Sequence, residues 1–170
     1  MWTFLAALAG GLVALLGSVG TTYYVQQQAI KAERRARATR AADEILAAAT
    51  ALRVLPREPV RESSDPAEAD RHREWSDKKE SLIYRIMAQA VLMPMPDFRD
   101  RLKVAAQAML YSHDLQPFDS FSEMGSRDVL CAEIIDCLGA FFQGRPLPPE
   151  RKTTARARAA IEQVLDLEDH

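Results

Sequence analysis

The chain has 170 residues, of which 48% are hydrophobic, and its formal net charge is −2 at pH 7. That length fits one domain with an appendage. Alanine, leucine, arginine and glutamate dominate, and these residues favour helices. Apolar and polar residues alternate nowhere over more than a few positions, which excludes a mainly β protein. Both observations predict an all-α fold.

An uncharged apolar segment opens the chain. Residues 1–25 carry no charged side chain, and the first one comes at Lys31. As a helix they would extend about 37 Å, more than the roughly 30 Å of bilayer hydrocarbon. Trp2 lies at one end and Tyr23 and Tyr24 at the other, as interfacial anchors do. We predict one transmembrane helix over residues 1–25; the alternatives are a cleaved signal peptide and a buried first helix of a soluble protein.

Basic residues follow this segment at once. They are Lys31, Arg34, Arg35, Arg37 and Arg40, and no Lys or Arg precedes the segment. The positive-inside rule then predicts a plasma-membrane protein with its N-terminus outside and its C-terminal body in the cytoplasm. We expect these basic side chains to contact lipid of the inner leaflet. We expect no nucleic-acid binding, because no aromatic residues interleave with them and a membrane anchor competes for the same charges.

Small residues recur along one face of the predicted span. Ala7, Gly10, Ala14 and Gly17 follow one another at steps of three and four. Small side chains let helix backbones approach closely in lipid, which favours self-association or docking on another membrane helix. The alternative is that alanine and glycine are simply common in membrane spans.

The helix is expected to continue beyond the membrane as a juxtamembrane extension over residues 26–55. No proline or glycine interrupts this stretch. An apolar stripe at steps of three and four runs along it: Ala42, Ile45, Ala49 and Leu52. We expect this stripe to pack against the rest of the body or against a neighbouring copy of the chain.

Residues 56–170 are predicted to form a small cytoplasmic helical bundle of four to five helices, with the juxtamembrane helix as the fifth. After a proline-rich loop, Asp65 is placed to cap a helix that has Pro66 at its first position. Apolar stripes predict four helices in this region, and prolines and capping residues predict where each begins and ends. The first helix ends at the prolines at 94 and 96, the second runs from there to near residue 113, the third covers 127–143 and the fourth covers 149–167. Ser126 is expected to cap the third of these and Gly144 to end it.

Four side chains of the body are candidate partner contacts. Phe118 and Phe121 lie in the connector 114–126, where they would either fill the edge of a core or anchor a partner. Arg151 and Arg156 come early in the last predicted helix, where positive charge opposes the helix dipole. A surface that departs from this preference is typical of a binding face, although such an order also arises without function.

Residues with chemistry are few and scattered. Cys131 and Cys137 fall in the most apolar helix and are expected to be small core residues with inert thiols. Glu133 and Asp136, three apart, are more typical of the polar edge of that helix than of an acid–base pair. Histidines have no metal-ligand spacing, and no phosphate-binding loop is present.

The sequence therefore predicts no enzyme, no metal, no cofactor and no small-molecule substrate. The function it favours is a membrane-anchored protein-interaction or scaffold module that binds a protein partner or itself. The alternatives are an accessory subunit of a larger membrane complex and a membrane-perturbing effector whose spans oligomerise.

Overall fold

A computed structural model describes the backbone of residues 2–59, 65–112 and 123–168, and side chains over 23–59, 65–112 and 127–163. Across these ranges the chain forms five helices and no strand, so the predicted all-α fold with a helical bundle is confirmed. The helices are α1 (Trp2–Arg53), α2 (Pro66–Ala90), α3 (Pro96–Leu110), α4 (Glu123–Phe142) and α5 (Lys152–Glu168).

The chain divides into two compact units, Met1–Arg37 and Ala38–His170. In the first unit the side-chain description starts at Tyr23, and every side chain from there to Arg37 is exposed. Most of the predicted transmembrane segment, residues 1–22, lies outside the described side chains. In the described part of the chain, no helix is long and apolar enough to cross a membrane.

The second unit has one hydrophobic core to which all five helices contribute. Its α1 contribution is the predicted stripe: Ala42, Ile45, Ala49 and Leu52 are each 0% exposed, which confirms that this face packs inside the body. Among the later helices, α3 packs against α2, α4 and α5, and α4 also packs against α5. The largest fully buried apolar side chains after α1 are Phe98, Ile83, Ile86, Met93, Leu102, Leu130, Ile134 and Leu138.

The start of α2 is as predicted. Asp65 has an extended backbone, and its carboxylate accepts a hydrogen bond from the Ala67 N–H at 3.0 Å, which satisfies a donor that the first turn leaves free. Pro66 takes the first helical position, where it loses no hydrogen bond. Pro96 begins α3 in the same way, after Met95 with no side-chain cap.

The boundaries of α4 and α5 differ from the predicted ones. The prediction that Ser126 caps α4 is wrong, because α4 begins at Glu123 and residue 126 lies inside its first turns. Residues 123–125 contain no proline, so no missing backbone donor stops the helix from extending by one turn. The last helix begins at Lys152 rather than at residue 149, because the preceding backbone is held by side chains of α3 and α4.

Gly144 ends α4, as predicted. Its φ of +62° lies in the left-handed region. The Arg145 N–H donates to the Ala140 carbonyl at 2.9 Å and the Gly144 N–H to the Phe141 carbonyl at 3.1 Å, which is the Schellman pattern of a helix C-terminus. No other heavy atom lies within 4 Å of the place a Cβ of residue 144 would take, so the requirement for glycine comes from the backbone alone.

Replacing Gly144 with alanine should lower the free energy of unfolding by about 1 kcal/mol, because alanine in the left-handed region is strained. Gly139→Ala is the matched control: residue 139 lies inside α4 with open space at its Cβ, so alanine should be neutral or stabilising by up to about 1 kcal/mol. Urea titration of both variants in mild detergent measures the difference. Equal stability of the two variants would contradict the assignment of the turn.

Candidate functional site

A buried carboxylate ties three parts of the bundle together. Glu133 on α4 is only 2% exposed. Its Oε1 accepts a hydrogen bond from Arg101 of α3 at 3.2 Å, and its Oε2 accepts one from the backbone N–H of Arg151 at 3.2 Å. The Arg151 Nε lies 3.6 Å from the same Oε2. Sequence reasoning expected a polar edge here, but Glu133 follows Leu130 by three residues and precedes Cys137 by four, which places it on the buried face.

Arg101 links this carboxylate to the segment that precedes α5. Its guanidinium donates to the Pro148 carbonyl at 2.6 Å as well as to Glu133, and one of its nitrogens lies 3.7 Å from the Cys137 sulfur. The Pro148 carbonyl thereby accepts from a charged donor, and such a hydrogen bond is stronger than one between neutral groups. These contacts fix the turn between α4 and α5 and explain why the last helix starts late.

The basic residues at the start of α5 find acids on other elements. Arg151 pairs with Asp136 in addition to Glu133. Arg158 pairs with Asp100 of α3 and with Glu150 at 2.8 Å. The positive charges of Arg151 and Arg158, which oppose the dipole of α5, are thus paired with acidic side chains around the start of that helix. Arg151, a predicted partner contact, is engaged within the chain. Arg156 also has an interaction within the chain; its side chain is exposed, and it remains a predicted partner contact.

Both cysteines are buried and free, as the apolar helix pattern predicted. Burial raises the pKa of the Cys131 thiol to about 11, although the nearby Arg127 partly offsets the effect. Burial also raises the pKa of Cys137, and its contact with Arg101 acts in the opposite direction. The two thiols are therefore protonated at neutral pH, a form that is a poor nucleophile and a poor metal ligand.

A small pocket lies beside the last turn of α1. Its enclosed space is enough for about one water molecule, and its lining residues are Leu52, Lys79, Ala108, Met109, Ser112, Arg127 and Leu130. Lys79 and Arg127 are each only 8% exposed. The Lys79 ammonium donates to the Ser112 hydroxyl at 3.3 Å and lies 5.2 Å from the centre of the Trp75 ring, a cation–π contact.

Sequence reasoning missed these two cations, although their positions carry a signal. Lys79 falls four residues after Trp75 and four before Ile83, and Arg127 falls three before Leu130. Both therefore occupy apolar stripes at helical spacing. A single basic residue at such a position is easily mistaken for a solvated side chain whose charged end reaches water.

Side chains from α2 and α4 hold the segment that leaves α1. Arg127 donates to the Leu55 carbonyl at 3.0 Å and to the Pro56 carbonyl at 3.3 Å. Trp75 Nε1 donates to the same Pro56 carbonyl at 3.1 Å. A cation at the C-terminal end of a helix interacts favourably with the carbonyls exposed there. The end of α1 is therefore attached to the bundle by charge as well as by packing.

The predicted membrane-interface residues fall into two groups. Tyr23 and Tyr24 are each 64% exposed, and the basic residues that follow are exposed on the same helix: Lys31, Arg34, Arg35 and Arg37. Arg37 pairs with Glu33 one turn earlier. The other predicted site residues lie outside the described side chains: Trp2, Ala7, Gly10, Ala14, Gly17, Phe118 and Phe121.

One end of the second unit presents exposed apolar side chains. Val91, Leu92 and Met95 lie in the turn between α2 and α3 and are exposed. The ring of Phe98, one turn into α3, lies 5.9 Å from that of Phe141, whose other neighbour is the exposed Phe142 at 5.7 Å. The end of α4 and this turn therefore share one end of the bundle, which we call the apolar end: Val91, Leu92, Met95 and Phe142.

Across the described residues, no group of three or more histidine, cysteine or acidic side chains is arranged to hold a metal ion. Comparison of the chain with protein-family models, with curated proteins and with solved structures gives no match. The site assignments therefore rest on the chain's own geometry.

Replacing Glu133 with glutamine should destabilise the bundle by about 3 kcal/mol, because it leaves the guanidinium of Arg101, whose side chain is only 14% exposed, without its charge partner. Asp136→Asn is the matched control: its carboxylate is exposed, so loss of the ion pair with Arg151 should cost less than about 0.5 kcal/mol. Chemical denaturation of both variants gives the two values. Similar small losses in both would show that Glu133 does not hold the fold.

Proposed function

We propose that this chain is a membrane-tethered protein-interaction module. Residues 1–25 form its transmembrane anchor in the plasma membrane, with the N-terminus outside. The basic residues from Lys31 to Arg40 lie at the inner leaflet, and the helical bundle binds a protein partner in the cytoplasm. The proposal contains no catalytic step.

The exposed stretch of α1 is the observation that carries this proposal. From Tyr23 to Arg37 every side chain of the helix is exposed. It starts with two exposed tyrosines and continues with basic residues, and between residues 26 and 40 only Glu33 is acidic. An aromatic belt followed by positive charge is the pattern of a helix at the cytoplasmic membrane surface, and each base near anionic lipid contributes about 1 kcal/mol.

The apolar end of the bundle supports the second half of the proposal. Val91, Leu92 and Met95 are exposed apolar residues of one turn. Only the buried Met93 and the proline at 94 separate Leu92 from Met95. Scattered exposed apolar residues are ordinary, but a group of them at one end of a small bundle is typical of a protein contact. We assign the partner-binding surface to this end.

The anchor is tested by charge within the span. Leu12→Arg together with Leu15→Arg should release the chain from membranes that are washed with alkaline carbonate, because each arginine near the centre of a span costs about 2.5–3.5 kcal/mol. The control, Leu12→Ala with Leu15→Ala, should stay in the membrane pellet. Full retention of the arginine variant, or release of the unaltered chain, would contradict a transmembrane anchor.

The partner surface is tested by photo-crosslinking in native membranes. A photoreactive residue at position 92 should yield one discrete adduct mass, whereas the same residue at the exposed position 103 of α3 should not. An adduct with a second copy would identify self-association, and one with a multi-span protein would identify an accessory subunit. Equal patterns at positions 92 and 103, or none at 92, would contradict the assignment of the apolar end.

A further inference from the structure

The exposed apolar surface of the apolar end continues along α2. Residues 86–96 carry no charged side chain. Ala88 lies three residues before Val91 and four before Leu92, so it is on the same side of the helix, and it is exposed. Tyr84, one turn earlier on that side, is more than half exposed. The apolar surface therefore covers the last two turns of α2 as well as the turn that follows.

A base and an acid border this charge-free stretch. Arg85 precedes it on α2 and Asp97 follows it in the first turn of α3, and both side chains are exposed. Neither side chain has a hydrogen-bond or ion-pair partner among the residues that the structure describes. An apolar surface between two opposite charges is complementary to a copy of itself turned about a two-fold axis, because the rotation brings each charge opposite the other one.

This surface lies at the end of the second unit where α1 enters. Gln89 Nε2 donates to the Glu44 carboxylate at 2.8 Å, whereas Trp75, earlier in α2, donates to the Pro56 carbonyl just after α1. The two helices are therefore antiparallel, and the end of α2 is at the same end of the unit as Ala38. With the anchor of the proposed function, all copies in one membrane have the same orientation, so a two-fold axis along the membrane normal can relate two of them.

The size of the surface favours an anchored partner. It consists of Tyr84, Ala88 and the residues of the apolar end, whereas a standard stable interface has about 20–30 residues on each side. Such a surface gives only weak association between molecules that diffuse freely in solution. Confinement of two copies to one membrane raises their effective concentration, and a weak contact is then sufficient.

We propose that the apolar end binds the apolar end of a second copy of this chain in the same membrane. The contact is isologous: the apolar residues of both copies pack together around Val91, and Arg85 of each copy pairs with Asp97 of the other. This inference rests on the proposed function and names the partner of its binding surface.

The contact is tested by cysteine crosslinking of the full chain in membranes with a short bismaleimide. Val91→Cys should give at least about fivefold more crosslinked dimer than Lys78→Cys, because residues near a two-fold axis meet their own copies. Lys78 is the matched control, since it is exposed on the same helix far from the apolar end. Both native cysteines are buried, so the unaltered chain measures the background. Equal yields from the two variants would overturn the proposal.

The ion pairs are tested by Arg85→Asp and Asp97→Arg, each made in the Val91→Cys chain. Each change places like charges opposite each other, so each variant should crosslink to itself about fivefold less. Two differently tagged chains, one with each change, should crosslink to each other when expressed together, because the facing charges are again opposite. Both residues are exposed, so the fold should be retained. Undiminished self-crosslinking of the two variants, or a mixture that crosslinks no better than either variant alone, would contradict the pairing.

Failure of this inference differs from failure of the proposed function. Release of the unaltered chain by alkaline carbonate would remove the anchor and with it the proposed function. A chain that stays in the membrane, shows no dimer with Val91→Cys and yields an adduct at position 92 with a different protein would keep the proposed function and overturn self-association.

Discussion

Alanine side chains line the face of α1 that packs into the bundle, and they let neighbouring backbones come close. Ala41, Ala42, Ala48 and Ala49 are almost fully buried, and Ile45 stands between them. Small side chains on one helix leave room for large ones on its neighbours, and the core volume is filled by phenylalanine, isoleucine and leucine from the later helices. The same helix that carries the exposed tyrosines and the basic residues thus ends as an integral part of the core.

Polar contacts determine the positions of the loops and helix ends, which hydrophobic packing does not determine. Burial of apolar surface is non-directional, so it does not by itself decide where a loop begins or how a helix end is placed. Glu133 and Arg101 set the turn before α5 through the backbone of Arg151 and Pro148. Arg127 does the same for the end of α1. Each of these buried charges has charge or carbonyl partners, which is the condition under which burial of an ion is tolerated.

The sequence predicts the helices well because their signals are local. An apolar residue every three or four positions, or a glycine such as Gly144 after the last turn, acts within one element. The sequence predicts the start of α4 at the wrong residue, because serine is a residue type that often caps helices and Ser126 is present. The helix begins at Glu123 instead, since capping is only one of several ways to begin a helix. The sequence does not predict the burial of Lys79, Arg127 and Glu133, since this burial depends on helices distant in sequence. A pocket is likewise a property of the assembled bundle.

Arg127 joins the pocket to the attachment of α1. One guanidinium donates to the backbone at the end of that helix and also lines the pocket with its remaining Nε. The Nε is buried without a hydrogen-bond partner, so the bonds to Leu55 and Pro56 hold the guanidinium in a position that is costly for its third donor. The attachment of α1 and the polar lining of the pocket are in this way coupled through a single side chain.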